Sequence, residues 1–151
     1  MNKALFIFMV PLLLLSCGKK TNFSLSGQID GGAGKTVYFS KLLPSSQQLI
    51  DSVKLDKEGN FKLKGRTSSP TFYLLKISEN NFITLLIDST ENSMITGSFK
   101  GFAENYKVKG SSGSEIIRDL NFRFIVAKKQ LDVVQTKYNT HKNDPDRKSV
   151  V

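Results

Sequence analysis

The chain contains a single cysteine and a single histidine among its 151 residues. One cysteine cannot form an intramolecular disulfide, and no His, Cys or carboxylate residues are spaced like the ligands of a metal site. His141 lies in a polar stretch, where a lone histidine is more often a solvated side chain than a base. The sequence therefore predicts no catalytic residue, no cofactor and no metal site. An independent enzyme using Asp51, Ser52 or His141 is the weakest alternative.

The chain also lacks a hydrophobic run long enough to cross a membrane. The apolar run of residues 4–15 follows Lys3 and is interrupted only by Pro11. As a helix it would reach about 18 Å, which is well short of the ~30 Å hydrocarbon core of a bilayer. A short positive segment followed by such a run is typical of a secretory signal peptide.

The end of this run resembles a bacterial lipobox, with Leu14, Leu15 and Ser16 directly before Cys17. We therefore predict a signal peptide over residues 1–16, cleavage before Cys17, and a diacylglycerol and an N-acyl chain on Cys17. A thiolate is the nucleophile that thioether formation needs, and two or more acyl chains hold a protein on a membrane. The alternative is a buried core helix with an incidental cysteine.

Lys3 is the only charged residue in the signal peptide, so cleavage lowers the net charge from +9 to +8. A basic chain often binds nucleic acid, but the export signal argues against that partner. Lys19 and Lys20 would lie beside anionic head groups, and the remaining positive charge is interpreted as solvated surface. Residues 17–22 form the tether. They lack an acidic run, which favours a cell-envelope protein that faces the periplasm.

Short segments of alternating polarity run from Phe23 to Lys109, separated by turn signals roughly every ten residues. They predict an antiparallel β-sandwich or partly open barrel of about eight short strands over residues 23–111. Residues 49–55 and 60–64 are predicted to pair as a hairpin across the turn that contains Gly59. The runs 71–77 and 82–87 are apolar on both faces and are predicted to be central strands.

No proline or glycine occurs between Ser114 and Asn143. Ser112 and Glu115 fit a capping box that starts a helix, and a polar tail, residues 144–151, follows Asn143. The sequence predicts one long amphipathic helix over residues 112–143, with apolar residues at alternating spacings of three and four. We call this set the helix stripe: Ile117, Leu120, Phe124, Ala127, Leu131, Val134 and Tyr138. It could pack on the chain's own sandwich or a following domain, recruit a partner, or self-associate.

The order of these features resembles a known envelope family. The lipobox is followed by Phe23-x-Leu25-x-Gly27-x-Ile29, Gly34-Lys35-x-Val37-Tyr38-Phe39, Ile50-Asp51-Ser52, Gly59-x-Phe61-x-Leu63-x-Gly65, Pro70-x-Phe72-Tyr73, Gly97-Ser98 and Gly110-Ser111. This resembles the β-rich domain of unknown function at the N-terminus of thioredoxin-like (TlpA/ResA-type) thiol-disulfide oxidoreductases. In that family a connector leads into a thioredoxin-like domain with a Cys-x-x-Cys pair. The sequence ends at Val151 without such a pair, so no catalytic residue is carried over.

The resemblance implies a non-catalytic, lipid-anchored accessory domain of a thioredoxin-family protein, either a fragment of a longer oxidoreductase or a short member. The alternative is a stand-alone envelope lipoprotein for binding or assembly, whose helix recruits a partner.

Overall fold

The computed structural model describes residues 22–142. These form eight β-strands, one short helix and one long C-terminal helix, which confirms the predicted mainly-β fold followed by a helix. The strands are β1 (Asn22–Asp30), β2 (Thr36–Leu43), β3 (Ser46–Lys54), β4 (Asn60–Arg66), β5 (Thr71–Ser78), β6 (Asn81–Ile87), β7 (Asn92–Ser98) and β8 (Lys107–Lys109). The helices are α1 (Phe102–Asn105), which the sequence analysis missed, and α2 (Ser112–Lys142). The predicted signal peptide with Leu14, Leu15 and Ser16, the lipid attachment at Cys17, and the tail of residues 144–151 lie outside the described residues.

The strands form two four-stranded sheets that do not close into a barrel. The first sheet has the order β4-β1-β7-β8 and the second has the order β3-β2-β5-β6. Strands β1 and β7 are parallel neighbours, whereas the other neighbouring pairs are antiparallel. The predicted sandwich is therefore mixed rather than purely antiparallel.

The predicted pairing of residues 49–55 with residues 60–64 is wrong. Strand β3 pairs with β2, and β4 pairs with β1 in the other sheet. The turn with Gly59 exists, and Gly59 adopts a φ of +81°, but this turn carries the chain from one sheet to the other. Leu55, which is 2 % exposed, enters the core between the sheets at this crossing. Alternating polarity and a turn signal fix a strand and a reversal, but they do not fix which strand becomes the partner.

Strand β5 is central, as predicted, but β6 is an edge strand. Helix α2 lies against β6, which accounts for the apolar residues on both of its faces. An edge strand that a helix covers has the same sequence signature as a central strand. Strands β5 and β6 form an antiparallel hairpin, in which Tyr73 faces Leu85.

The core lies between the inner faces of the two sheets. Three aromatic rings stand at its centre: Phe39 stacks on Tyr73 with centroids 4.8 Å apart, and Phe23 meets Tyr73 edge-on at 5.2 Å. Burial raises the pKa of Tyr73, whose hydroxyl lies beside Thr67. Aromatic pairs in these geometries add about 0.5–1.5 kcal/mol beyond their buried area.

Candidate interaction surface on the C-terminal helix

Two buried serines attach the start of α2 to the exposed backbone of edge strand β6. The Ser114 hydroxyl oxygen accepts a hydrogen bond from the Leu86 N–H at 3.1 Å and lies 3.0 Å from the Leu86 carbonyl oxygen. The Ser111 hydroxyl lies 3.0 Å from the same carbonyl oxygen and 2.9 Å from Ser114 Oγ. These hydroxyls satisfy backbone groups that a neighbouring strand would otherwise pair. The serines therefore fix where the helix joins the sandwich.

The same cluster corrects the predicted capping box. Ser111, rather than Ser112, accepts the hydrogen bond from the Ser114 N–H, at 3.3 Å. Glu115 does reach back, but its carboxylate accepts from the Gly110 N–H at 3.0 Å. Ser112 is exposed. With three serines among residues 111–114, the sequence leaves the register of the capping box ambiguous by one residue, and the contact with β6 decides it.

Helix α2 runs antiparallel along β6 and leaves the sandwich near Ile125. Ser114 lies at Leu86 near the end of the strand, and Phe124 and Ile125 share a groove with Phe82 at its beginning. Between them, Asn121 Nδ2 lies 3.4 Å from the Tyr106 hydroxyl, whose pKa is raised chiefly by burial.

A surface ion pair marks the place where the helix leaves. Lys129 Nζ lies 3.4 Å from Glu104 Oε2, and both side chains are more than half exposed. Such a pair contributes at most about 1 kcal/mol, so it does little to hold the rest of the helix against the sandwich.

Every residue of α2 from Val126 to Lys142 is exposed. These residues extend about 25 Å at 1.5 Å per residue. Of the predicted helix stripe, only Ile117 is half-buried, and the other six residues are exposed. Phe124 is 70 % exposed at the edge of its groove with Phe82, and Leu131 is 64 % exposed. The stripe from Ala127 onward therefore does not pack on the chain's own sandwich.

The exposed apolar surface of α2 is wider than the predicted stripe. Val126 and Val133 lie beside Val134 and form, with the aliphatic parts of Lys129 and Gln130, an almost wholly apolar shallow surface. A soluble monomer rarely exposes a large contiguous apolar area unless the area binds something. We call residues 126–142 the free part of α2. It is therefore the strongest candidate for a protein-binding surface.

The chain enters and leaves the sandwich at opposite ends. Strand β1 begins at Asn22, and its Ser24 donates a hydrogen bond to Asn92 Oδ1 at 2.6 Å. Asn92 lies against Gly110, just before α2 begins. Helix α2 therefore starts at the end where β1 starts, follows β6 along the sandwich, and projects beyond the other end. We call the first the entry end and the second the exit end.

The remaining polar residues singled out in the sequence are not brought together. Asp51 and Ser52 lie exposed on β3, where the Asp51 carboxylate accepts the Ser52 N–H at 2.7 Å. His141 is exposed near the end of α2, and its ring nitrogen lies 3.1 Å from the Lys137 carbonyl oxygen. Among residues 22–142, no group of three or more His, Cys, Asp or Glu side chains could hold a metal ion. No described helix has the length and apolar character needed to span a bilayer.

The positive charge is more concentrated than the sequence analysis indicated. Five exposed cations lie on the outer face of the first sheet: Lys62, Lys64, Arg66, Lys107 and Lys109. Lysine or arginine alternates with buried residues in β4 and β8. This alternation could have revealed the cationic face in the sequence, since alternate residues of a strand share a face.

The chain belongs to a family of domains of unknown function, DUF4369, whose model matches residues 23–116. The match covers all the β-strands except the first residue of β1, and it ends within the first turns of α2. It includes Ser111 and Ser114, which dock the helix, but not the exposed part of α2. No curated protein matches the chain.

Proposed function

We propose that this protein is a lipid-anchored cell-envelope protein whose β-sandwich is a non-catalytic accessory domain of a thioredoxin-family thiol-disulfide oxidoreductase. The observation that carries the proposal is the course of the chain through the domain. The tether enters at one end, and α2 leaves at the other with its apolar residues exposed. A domain built in this way separates a membrane anchor from whatever α2 supports.

The lipid anchor is supported by Leu14, Leu15, Ser16 and Cys17 and by the short tether that leads to β1. Five residues of extended chain span at most about 18 Å, so an anchored Cys17 would hold the entry end close to the bilayer. The sandwich is about 30 Å long, given nine-residue strands and a rise of roughly 3.3 Å per residue. The end of α2 would then lie well away from the tether.

The thioredoxin-type context is supported by the motif order across the sandwich and by the exposed stripe. A connector helix that carries a following domain needs an apolar surface that its own sandwich does not cover. Leu131, Val134 and Tyr138 supply such a surface. The redox chemistry would reside outside residues 22–142.

The native protein tests both parts of this proposal. It should be recovered from membranes with an antibody to the sandwich, and its intact mass should be measured beside that of a Cys17→Ser variant. We expect native protein that starts at Cys17 and carries acyl chains, and a Cys17→Ser variant that retains its signal peptide. A mass larger by a thioredoxin-like domain, about 100–150 residues, would support the oxidoreductase context. Unacylated native protein would contradict the anchor, and a lipidated chain ending at Val151 would contradict that context.

The second candidate is a stand-alone envelope lipoprotein that recruits a partner through α2. The residues that flank the helix stripe favour this reading over self-association. Arg123, Lys128 and Lys137 occupy positions beside the stripe that would face each other in a homodimeric coiled coil, and like charges there are unfavourable. A partner with an acidic amphipathic helix would complement them.

Sedimentation and cross-linking distinguish these readings. The partner hypothesis predicts a monomeric purified chain and, in membranes, a cross-link from position 131 to a different protein. A cross-link from position 131 to a second copy would overturn it in favour of self-association.

A further inference from the structure

We propose that the outer face of the first sheet is a binding surface for anionic phospholipid head groups. Its cations form two rows: Lys62, Lys64 and Arg66 on β4, and Lys107 and Lys109 on β8. Strands β1 and β7 lie between the rows. With neighbouring strands about 4.8 Å apart, the rows are roughly 14 Å apart, and cations within a row are separated by about 6.7 Å.

Apart from Met94, which is exposed on β7, the surface between the two rows is polar, and it is nearly free of negative charge. The outward-facing residues include Ser24, Ser26 and Thr96, whose hydroxyls can donate hydrogen bonds to phosphate oxygens. Asp30 is the only acidic residue in the four strands, and it lies at the exit end of β1. None of the five cations is in an ion pair with another residue of the described chain. Their charge is therefore available to an external anion.

Nearby acidic side chains balance the positive charge of the β4 row less than that of the β8 row. Glu115 and Asp119 of α2 border Lys107 and Lys109, as does Arg118. The Glu115 carboxylate accepts from the Gly110 N–H at 3.0 Å, and the Asp119 carboxylate is paired with Arg118 at 2.8 Å. At the entry end of the β4 row, Lys64 and Arg66 line a cleft of about 690 Å³, and no acidic residue lines this cleft.

The location of this cleft favours a membrane over a soluble polyanion. Asn22, the first residue of β1, lies in the cleft beside Lys64 and Arg66. The inference thus rests on the proposed anchor, because a lipid on Cys17 would hold the β4 row beside the head groups in the cell. Acyl chains combined with a basic patch form a two-signal attachment. The sandwich would then lie along the bilayer rather than swing on its tether.

The test measures binding of the chain from Gly18 onward, without lipid, to sedimented vesicles. Vesicles of equimolar phosphatidylcholine and phosphatidylglycerol are compared with vesicles of pure phosphatidylcholine. A cation near an anionic surface increases binding roughly fivefold. We expect the K62Q/K64Q/R66Q variant to bind the anionic vesicles about 100-fold more weakly than the wild type. The K107Q/K109Q variant should show a smaller loss of binding.

A matched control removes the same number of charges elsewhere. Lys35, Lys54 and Lys57 are exposed and lie outside the face, so K35Q/K54Q/K57Q should weaken binding to the anionic vesicles by less than about tenfold. Equal losses in the two triple variants would show that net charge alone drives binding and would overturn the proposal. Circular dichroism confirms that each variant is folded.

Two further outcomes are informative. If the chain does not bind anionic vesicles but binds soluble polyphosphate through the same β4 cations, the face is a site for soluble polyanions and the membrane proposal is wrong. No binding to either probe would also overturn it. Because the chain in this assay carries no lipid, none of these results bears on acylation of Cys17, which the intact mass tests separately.

Discussion

The ring of Phe23 packs directly over Gly65, its cross-strand partner on β4. The arrangement recurs in reverse four residues along, where Gly27 on β1 faces Phe61 on β4. A Cβ atom at position 27 would lie 2.7 Å from the Phe61 ring. In both pairs the glycine lies on the inner face and leaves the space that the aromatic ring fills. Gly27 and Gly65 are thus part of the core packing.

Replacing Gly65 by alanine should destabilise the sandwich. Alanine normally favours an ordered backbone over glycine by roughly 0.5–1 kcal/mol. Here its methyl group would collide with the Phe23 ring, and overpacking a core costs about 1–3 kcal/mol. Gly65→Ala should therefore lower the free energy of unfolding in urea. The control is the double variant with Phe23→Leu, in which the two effects should be less than additive because the smaller side chain relieves the collision. Strict additivity would mean that the two residues do not interact.

The strands and the long helix could be predicted from sequence because each depends on local periodicity. Phe23, Leu25 and Ile29 all face the core, as their alternation indicated. The partner of each strand depends on contacts far apart in sequence. Strand β3 resembled a partner for β4, yet β4 completes the first sheet beside β1. The alternating pattern of a nine-residue strand does not determine which strand becomes its partner.

The candidate surfaces were predicted only in part for the same reason. The helix stripe was identified from its spacing, but its exposure follows from the direction in which Ser111 and Ser114 set α2. The cationic face was missed because its two rows come from strands that are about 40 residues apart in sequence. Only the sheet order brings them to one surface.

Ser112 and Ser114, both in the first turn of α2, should differ sharply in their effect on stability. Ser114→Ala removes a buried hydroxyl and leaves the Leu86 N–H without its partner, which costs about 1–3 kcal/mol. Ser112 is exposed, so Ser112→Ala should change the free energy of unfolding by less than about 0.5 kcal/mol. Urea denaturation measures both. Equal effects would indicate that the serine hydroxyls do not hold the helix to β6.

The turn between β3 and β4 should contribute stability that depends on pH. The Asp56 carboxylate accepts hydrogen bonds from the Asn60 N–H at 2.7 Å, from the Asn60 side-chain amide at 3.0 Å and from the Glu58 N–H at 3.0 Å. These bonds, the one from the Asn60 backbone foremost, lower the pKa of Asp56 below its ordinary value of 3.8. A lowered folded-state pKa gives stability that is present above 3.8 and is lost as the pH falls through the lower value.

The wild type should therefore be more stable than Asp56→Ala at neutral pH, and the difference should shrink below pH 3.8. Urea midpoints measured across this range test the prediction. Asp51→Ala is the control, because its carboxylate accepts only the N–H of the next residue. A wild-type advantage that is constant down to the lowest pH would show that the carboxylate charge is not involved.

The free part of α2 should exchange its amide hydrogens far faster than the docked part. Isolated helices of about 12–15 residues are marginally stable in water, and most helices depend on packing for their stability. Residues 114–125 have that packing against β6 and Tyr106, whereas residues 126–142 are exposed on every side. Hydrogen exchange measured by mass spectrometry on the monomeric chain should show strong protection in the first segment and weak protection in the second. Protection of the second segment should rise when a partner or a following domain covers Leu131 and Val134. Strong protection in the monomer would mean that another part of the chain already covers the stripe, which would remove the basis for assigning α2 an external partner.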